Sequence, residues 1–201
     1  MVLASGNAGK LREFSELLDA TGLVLVRQSD LGIEPPPETG TTFLDNALIK
    51  ARNAARLTGL PAIADDSGLE VDALDGAPGV YSARYGGENA SDEANLAKLL
   101  AALEGVPNAR RTARYRCIVV YLRNADDAEP LIGDGTWEGE IIAERRGNGG
   151  FGYDPSFVPA GDTRTVAEMP QDTKNLLSHR GQAMRAFLKQ LGLAQLTRVT
   201  R

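Results

Sequence analysis

Two adjacent acidic residues near the middle of the chain, Asp65 and Asp66, have the side chains for metal binding and acid–base chemistry. They follow an apolar run, 60–64, and carboxylates in such surroundings are costly to desolvate unless a cation or hydrogen-bond donors satisfy them. An Asx-type turn at a strand end would account for one acid and needs no second one. Because Mg²⁺ binds through one or two carboxylates plus substrate phosphates, the pair predicts a magnesium and general-base centre. Ser67 lacks the Gly-x-Ser-x-Gly elbow of serine hydrolases, and the single histidine, His179, lies far away in the sequence.

A turn of small residues near the N-terminus is a candidate phosphate site. It consists of Ser5, Gly6, Asn7, Ala8, Gly9 and Lys10. Unpaired backbone N–H groups and the dipole favour an anion at a helix N-terminus, and the lysine adds a full positive charge. The turn is not a P-loop, because the first glycine of that motif would fall at Ala4 and its Ser/Thr at Leu11. A plain strand-to-helix turn is the alternative, since such glycines often serve geometry only.

The second predicted helix carries Asn46 and Lys50 four residues apart, on one face. Lys50 is either a solvated surface lysine or a ligand of the phosphates. Glu38 precedes this helix, where it either interacts with the helix dipole or supplies a second carboxylate to the metal.

A glycine-dense segment, 147–155, contains two aromatic rings and an acid in the order Phe151, Gly152, Tyr153 and Asp154. Such a loop can stack a nucleobase while its backbone groups read the edge of the base. Aromatic residues in glycine loops also anchor small satellite cores, which is the alternative.

Three donors follow this segment at Lys174, His179 and Arg180. Both Lys174 and Arg180 can donate to a carbonyl oxygen at the C6 position of a purine. A single histidine usually serves structure, but the pair of His179 and Arg180 lies at the entrance of a helix and favours a ligand.

The composition is that of a soluble globular protein with one core or two coupled lobes. The chain has 201 residues, of which 42% are hydrophobic and 24% charged. Its net charge of −5 gives no basic field for a nucleic-acid polymer, so phosphate recognition must be local. The single cysteine, Cys117, lies in an apolar run and is predicted to be a buried thiol. No stretch is long enough to span a bilayer and no signal-peptide pattern is present, which predicts a cytoplasmic protein without a membrane partner.

Hydrophobic periodicity predicts a mixed α/β fold with helices packed on a central sheet. Strands are predicted over 2–4, 23–26, 60–64, 69–74, 112–122, 131–137, 140–143 and 157–158, of which 131–137 and 140–143 resemble an antiparallel meander. Helices are predicted around Leu11–Leu18, Phe43–Ala54, Asp92–Leu103 with Ser91 as N-cap, and a C-terminal stretch through Leu177–Leu191 that ends at Gly192 and is followed by a frayed end. The candidate residues therefore lie where strands and helices meet.

Together these segments resemble the family of inosine/xanthosine triphosphate pyrophosphatases of the HAM1/RdgB type, the house-cleaning hydrolases of non-canonical purine nucleotides. Five ordered motifs carry the resemblance, at 5–10, 38–51, 64–68 with 76–85, 150–155 and 178–181. Two departures are minor: Ser5 stands where threonine is common, and Ser156 where an aliphatic residue is usual.

The resemblance implies an elongated two-lobed α/β fold, with a mixed sheet, flanking helices and a central substrate cleft, as a single domain over 1–201. It implies a homodimer that uses Mg²⁺ to cleave a small purine nucleoside triphosphate (ITP, dITP or XTP) into the monophosphate and pyrophosphate. Such hydrolysis prevents incorporation of these nucleotides into nucleic acids.

The family roles extend to specific positions of this chain. The resemblance implies that Asp66 is the proton acceptor and a metal ligand, with Glu38 as a second metal candidate. Residues 5–10 and Lys50 would hold the triphosphate, and Ser67 would contact substrate. The base would be held by Phe151, Gly152, Tyr153, Asp154, Lys174, His179 and Arg180. Two alternatives remain, a Maf-like pyrophosphatase for modified or canonical pyrimidine nucleotides and a nucleotide sensor that does not hydrolyse its ligand.

Overall fold

The computed structural model describes residues 1–6, 8–19 and 21–193. Within these ranges the chain forms five α-helices and six β-strands, with short 3₁₀ turns between several of them. The helices are α1 (Ala8–Asp19), α2 (Phe43–Thr58), α3 (Asp92–Ala102), α4 (Gln171–Leu177) and α5 (His179–Gln190). The strands are β1 (Val2–Leu3), β2 (Val26–Arg27), β3 (Ala62–Val71), β4 (Thr112–Leu122), β5 (Leu131–Ile141) and β6 (Phe157–Pro159).

The six described strands form one mixed sheet in the order β2-β1-β3-β4-β5-β6. β1 is parallel to both neighbours, with Val2 opposite Val26 and Ala62, while β5 and β6 pair antiparallel. Parallel neighbours need crossover connections, which contain α1 between β1 and β2 and α2 between β2 and β3. The prediction of a mixed α/β fold with helices flanking a sheet is confirmed.

The chain divides into two compact units, each with its own hydrophobic core. Unit 1 consists of Met1–Asp66, Cys117–Gly135 and Arg180–Arg201, and unit 2 of Ser67–Arg116 and Thr136–His179. β3, β4 and β5 each continue from one unit into the other.

The core of unit 1 contains the apolar face of α1. Leu11, Phe14 and Leu18 recur at helical spacing and are buried. Cys117 is a buried free thiol, as predicted, and burial raises its pKa to about 12. The same cluster includes Leu3, Ile63, Val119, Ala183, Met184, Phe187 and Leu188.

The core of unit 2 contains α3, which begins as predicted. The Ser91 hydroxyl caps the helix by accepting the Ala94 N–H at 3.2 Å. Leu96, Leu99 and Leu103 are buried, as their spacing predicted. The cluster also includes Leu69, Val71, Ala113, Tyr115, Trp137, Ile141, Tyr153, Phe157, Val166 and Met169.

The acid pair lies inside a strand, although the sequence predicted that a strand would end there. β3 runs without interruption from Ala62 to Val71, in place of the predicted strands 60–64 and 69–74. A lysine forms an ion pair with each carboxylate, so the backbone ladder continues through two buried acids.

The two runs predicted over 131–137 and 140–143 form a single strand, β5, and Gly139 lies inside it. Gly139 lies opposite Pro159, and a Cβ at this position would lie only 2.4 Å from the carbonyl oxygen of Val158. A glycine that interrupts the apolar pattern therefore belongs to the ladder.

Two other element predictions are corrected. The strand predicted over 23–26 is β2, at Val26–Arg27. The helix predicted over Leu177–Leu191 is α5, and a separate helix that was not predicted, α4, precedes it and ends before Ser178, whose extended backbone has ψ 157°. The frayed end predicted after α5 lies mostly outside the described residues. Among the helices of the described ranges, none is long and apolar enough to cross a membrane.

Candidate active site

The neighbouring carboxylates of Asp65 and Asp66 contact different partners. Successive side chains of a strand point to opposite faces. Lys10 Nζ lies 2.9 Å from Asp65 Oδ2. Lys50 Nζ donates to Asp66 Oδ1 at 2.9 Å, and Asn46 Nδ2 donates to Asp66 Oδ2 at 3.2 Å. One strand therefore presents its two acids to two separate sets of groups in unit 1.

Asp65 is held in its ionised form by two cations. Burial raises the pKa of this carboxyl, but Lys10 and Arg180 outweigh that effect and hold the pKa below its usual range. Arg180 Nε lies 4.0 Å from Asp65 Oδ2. A carboxylate with a lowered pKa is a weak proton acceptor, so this arrangement suits an anchor for cations.

Arg180 is itself held by a second carboxylate. Its Nη1 donates to Oε2 of Glu13, and both side chains are buried. Glu13 lies on α1, one turn after Lys10, so one helix supplies a cation to Asp65 and an anion to Arg180. We refer to Lys10, Asp65, Arg180 and Glu13 as the buried charge cluster.

Asp66 has the electrostatics of a proton acceptor. Burial raises the pKa of its carboxyl, and the opposing charges of Lys50 and Lys10 reduce this shift without cancelling it. A raised pKa makes a carboxylate a stronger base toward a water molecule. The two neighbouring acids are therefore shifted in opposite directions.

Lys50 joins Asp66 to Glu38. Its Nζ lies 2.9 Å from Glu38 Oε1 as well as 2.9 Å from Asp66 Oδ1. Burial lowers the pKa of Lys50, but the negative charges of Asp66, Asp65 and Glu38 outweigh burial and raise it. Lys50 thus stays cationic although it is buried. The structure therefore excludes the alternative of a solvated surface lysine.

Asn46 connects the loop that carries Glu38 to the acid on β3. Its Oδ1 accepts the Gly40 N–H at 2.8 Å, and its Nδ2 donates to Asp66. A Cβ at Gly40 would lie 2.7 Å from Asn46 Oδ1, so this close approach requires glycine. The fully buried amide thereby fixes both the loop and the orientation of the carboxylate.

The small-residue turn precedes a helix, as the sequence predicted. α1 begins at Ala8, so Gly9 and Lys10 lie in its first turn. Ser5 is buried and Gly6 is exposed with open space around it. Asn7 lies outside the described residues. The helix N-terminus and Lys10 together form a local site of positive charge.

Asp66 and Glu38 are the side chains that fit a magnesium ion. The ranges that the structure describes contain no group of three or more His, Cys, Asp or Glu side chains able to hold a metal. Mg²⁺ does not require such a cage, because it takes one or two carboxylates and completes its coordination with water and substrate phosphates. Two oxygen-donor side chains linked to one lysine meet that requirement.

A second polar cluster lies in unit 2 around Asp154, which is buried. Its Oδ2 accepts a hydrogen bond from Lys174 Nζ at 2.8 Å and from the Phe151 N–H at 2.9 Å. The hydroxyl of Tyr115 donates to its Oδ1 at 3.0 Å. Lys174 Nζ also lies 4.6 Å from the centre of the Phe151 ring. We refer to Tyr115, Phe151, Asp154 and Lys174 as the Asp154 cluster.

The remaining predicted base ligands of unit 2 have defined contacts. His179 is buried, and its ring is stacked on that of Tyr115 at 4.7 Å. Tyr153 donates its hydroxyl to the Ser82 carbonyl oxygen at 2.7 Å. The Gly152 N–H donates to Oδ2 of Asp92 at 2.8 Å, which ties the loop to the start of α3.

The structure groups the predicted site residues into two sets. Unit 1 contains the predicted phosphate and metal residues, and unit 2 contains the Asp154 cluster and His179. Ser67 is the first residue of unit 2 and is half-buried within β3. Arg180, predicted as a donor to the base, has its guanidinium engaged by Glu13 and Asp65 in unit 1. These partners favour a role in holding Asp65.

Two residues of these clusters were missed in the sequence. Glu13 flanks the apolar stripe of α1, and its spacing of three from Lys10 was the signal for a shared face. Tyr115 lies in the apolar alternation of β4, where an aromatic residue is typical of a core. Nothing in that pattern indicated a polar partner for its hydroxyl.

We predict that Arg180→Ala lowers the free energy of unfolding by about 3 kcal/mol or more, because it removes the arginine from buried Glu13 and leaves Asp65 with Lys10 alone. Lys189→Ala, at an exposed position on the same helix, is the matched control and should change stability by less than about 0.5 kcal/mol. Urea denaturation of both variants checks this. Equal stabilities would show that the guanidinium contributes nothing to the cluster.

The chain was compared with known proteins. The sequence model of the Ham1 family matches residues 1–190. The chain is 58% identical over 191 residues to a dITP/XTP pyrophosphatase of Thioalkalivibrio sulfidiphilus and 53% identical to one of Escherichia coli, covering 95% of this chain and 97% of each relative. A solved HAM1 protein from Coxiella burnetii superposes with a TM-score of 0.88 at 48% identity, covering 95% of this chain and 97% of that one. Another from Staphylococcus aureus gives 0.83 at 38% identity over the same shares. The resemblance found in the sequence is therefore confirmed, and this chain belongs to the Ham1 family.

Proposed function

We propose that this chain hydrolyses non-canonical purine nucleoside triphosphates, ITP, dITP and XTP, to the monophosphate and pyrophosphate. This activity would keep such nucleotides out of nucleic acids. Relatives that are 53% and 58% identical over nearly the whole chain are dITP/XTP pyrophosphatases. The observation that carries the proposal is the separate pairing of the two neighbouring acids, Asp65 with Lys10 and Arg180, and Asp66 with Lys50 and Asn46.

Asp66 acts as the proton acceptor for the attacking water. Its raised pKa makes it a better base than an exposed aspartate, and its orientation is fixed by Asn46 and Lys50. Asp65 lacks this property because its charge is committed to Lys10 and Arg180. The attack is proposed at the α-phosphorus, which leaves pyrophosphate as one product.

Lys10, Lys50 and the N-terminus of α1 hold the triphosphate. Both lysines belong to unit 1, and each is aimed by a buried aspartate. Preorganised cations of this kind stabilise charge that develops on a leaving pyrophosphate. Asp66 and Glu38 hold Mg²⁺, which when bound neutralises phosphate oxygens.

The Asp154 cluster of unit 2 recognises the base. Lys174 carries three donors and no acceptor, so it can bond a 6-oxo oxygen and finds no partner in the 6-amino group of adenine. Phe151 offers an aromatic face for stacking. The oxopurine preference is favoured over a pyrimidine preference because the relatives at 53% and 58% identity are dITP/XTP pyrophosphatases. The homodimer and the cytoplasmic location stay predictions.

We predict that ITP is converted to IMP and pyrophosphate in equal amounts, and that EDTA abolishes the reaction until Mg²⁺ is restored. Ion chromatography of the products across ITP, dITP, XTP, ATP, GTP and the pyrimidine triphosphates checks both points. Stepwise release of orthophosphate would contradict the assigned cleavage. Binding of ITP without turnover would favour the sensor, and a preference for pyrimidines would favour the Maf-like alternative.

We predict that Asp66→Asn lowers turnover of ITP at least about a hundredfold, because the amide cannot accept the proton and is a weaker metal ligand. Asp65→Asn is the matched control, with the same substitution one residue away, and should retain more turnover. Steady-state kinetics of both variants across a magnesium titration checks this. Near-native turnover of Asp66→Asn at saturating Mg²⁺ would remove Asp66 from the mechanism.

A further inference from the structure

Tyr115 contacts two groups of the proposed base site from a position on the sheet. It lies on β4 and is buried. Its hydroxyl donates to Asp154 Oδ1 at 3.0 Å, while its ring is stacked on His179 with an interplanar angle of 10°. The same ring packs against Phe157, with the ring centres 4.6 Å apart. A side chain on a long central strand is a firmer support than one on a glycine-rich loop.

The Asp154 carboxylate is fully committed to protein donors. Oδ1 accepts from Tyr115, and Oδ2 accepts from Lys174 at 2.8 Å and from the Phe151 N–H at 2.9 Å. The loop approaches it so closely that a Cβ at Gly150 would lie 2.1 Å from Oδ2. A buried carboxylate bonded at both oxygens orients its donors, because any rotation would break one set of bonds.

These hydrogen bonds link Tyr115, Asp154 and Lys174 in series. Tyr115 fixes one oxygen of Asp154, and the other oxygen fixes the ammonium group of Lys174 and the backbone of Phe151. Lys174 and Phe151 are the groups proposed to read and stack the base. The orientation of Lys174 and Phe151 therefore depends on the Tyr115 hydroxyl through the Asp154 carboxylate.

We propose that Tyr115 is a positioning residue that determines purine selectivity, acting through Asp154 on Lys174. This inference rests on the proposed function, since it names the source of selectivity at the same site. Without the hydroxyl, Oδ1 is a buried acceptor that loses this donor, and the carboxylate is held less firmly because its bonds at Oδ2 alone fix its orientation. The ammonium group is then less precisely aimed at a 6-oxo oxygen, whereas adenine gains nothing and loses little.

Tyr115→Phe tests the proposal because it removes one oxygen and keeps the stacking ring. We expect kcat/KM for ITP to fall about tenfold, mainly through KM, since a hydrogen bond to a charged group contributes that much or more. The ratio of kcat/KM for ITP over ATP should fall by a similar factor. Tyr121→Phe is the matched control, because it makes the same change on the same strand in unit 1 and leaves both values unaltered.

The selectivity ratio separates positioning from a merely structural role. A Tyr115→Phe enzyme with a lower Tm and an unchanged ITP-to-ATP ratio would overturn the proposal. So would a fall in kcat/KM that is equal for both nucleotides.

A double-mutant cycle with Asp154→Asn tests the route through Asp154. If Tyr115 acts through that carboxylate, the double variant loses no more ITP selectivity than Asp154→Asn alone. Additive losses in the double variant would show that the hydroxyl acts independently and would contradict the proposal.

The failure of this inference is distinguishable from failure of the proposed function. Wild-type protein that releases no pyrophosphate from ITP would contradict the function. In that event, calorimetry in EDTA measures the affinities for ITP and ATP. The ratio of the two affinities is then compared between wild type and Tyr115→Phe. Hydrolysis by wild type with unaltered selectivity in Tyr115→Phe would contradict the inference alone.

Discussion

The burial of two adjacent carboxylates in the middle of β3 is the constraint on which the site of unit 1 depends. An ionised group inside a protein must be paired, and successive residues of a strand point to opposite faces, so their carboxylates contact different side chains. Asp65 and Asp66 therefore require two sets of partners. α1 supplies Lys10 to one side, and α2 supplies Lys50 to the other. The two lysines proposed to hold the triphosphate are placed by this pairing.

The two units use buried carboxylates in a similar way. Asp65 in unit 1 and Asp154 in unit 2 are each engaged by protein cations and donors, and each orients a lysine. Asp66 differs, because its pKa is raised by burial that Lys50 does not fully offset. A group that the fold leaves incompletely stabilised is available for chemistry, and such sites commonly reduce stability in exchange for activity. Electrostatics thus distinguishes Asp65 and Asp154 from Asp66, the proposed proton acceptor.

Much of the fold was predictable, because long apolar stripes and a cap residue indicate α2, α3 and β4 directly. The family and the candidate residues followed from ordered motifs. Which side chains pair with one another was not predictable from the sequence. Arg180 adjoins His179 in the sequence, yet the two residues belong to different units and have different partners. The sequence predicted two strands in place of β3, because two charged residues are unfavourable inside a strand. The ion pairs that stabilise them there form only in the folded structure.

The unfolding free energies of Asp65→Asn and Asp66→Asn test the division of roles most directly. A pH of 7 is above the ordinary pKa of an aspartate carboxyl. The lowered pKa of Asp65 means that its ionised form stabilises the fold, and the raised pKa of Asp66 means that its ionised form opposes folding. Urea denaturation without nucleotide or divalent metal should therefore give a loss of about 3 kcal/mol for Asp65→Asn and a smaller loss for Asp66→Asn. A loss for Asp66→Asn equal to or greater than that for Asp65→Asn would contradict the account.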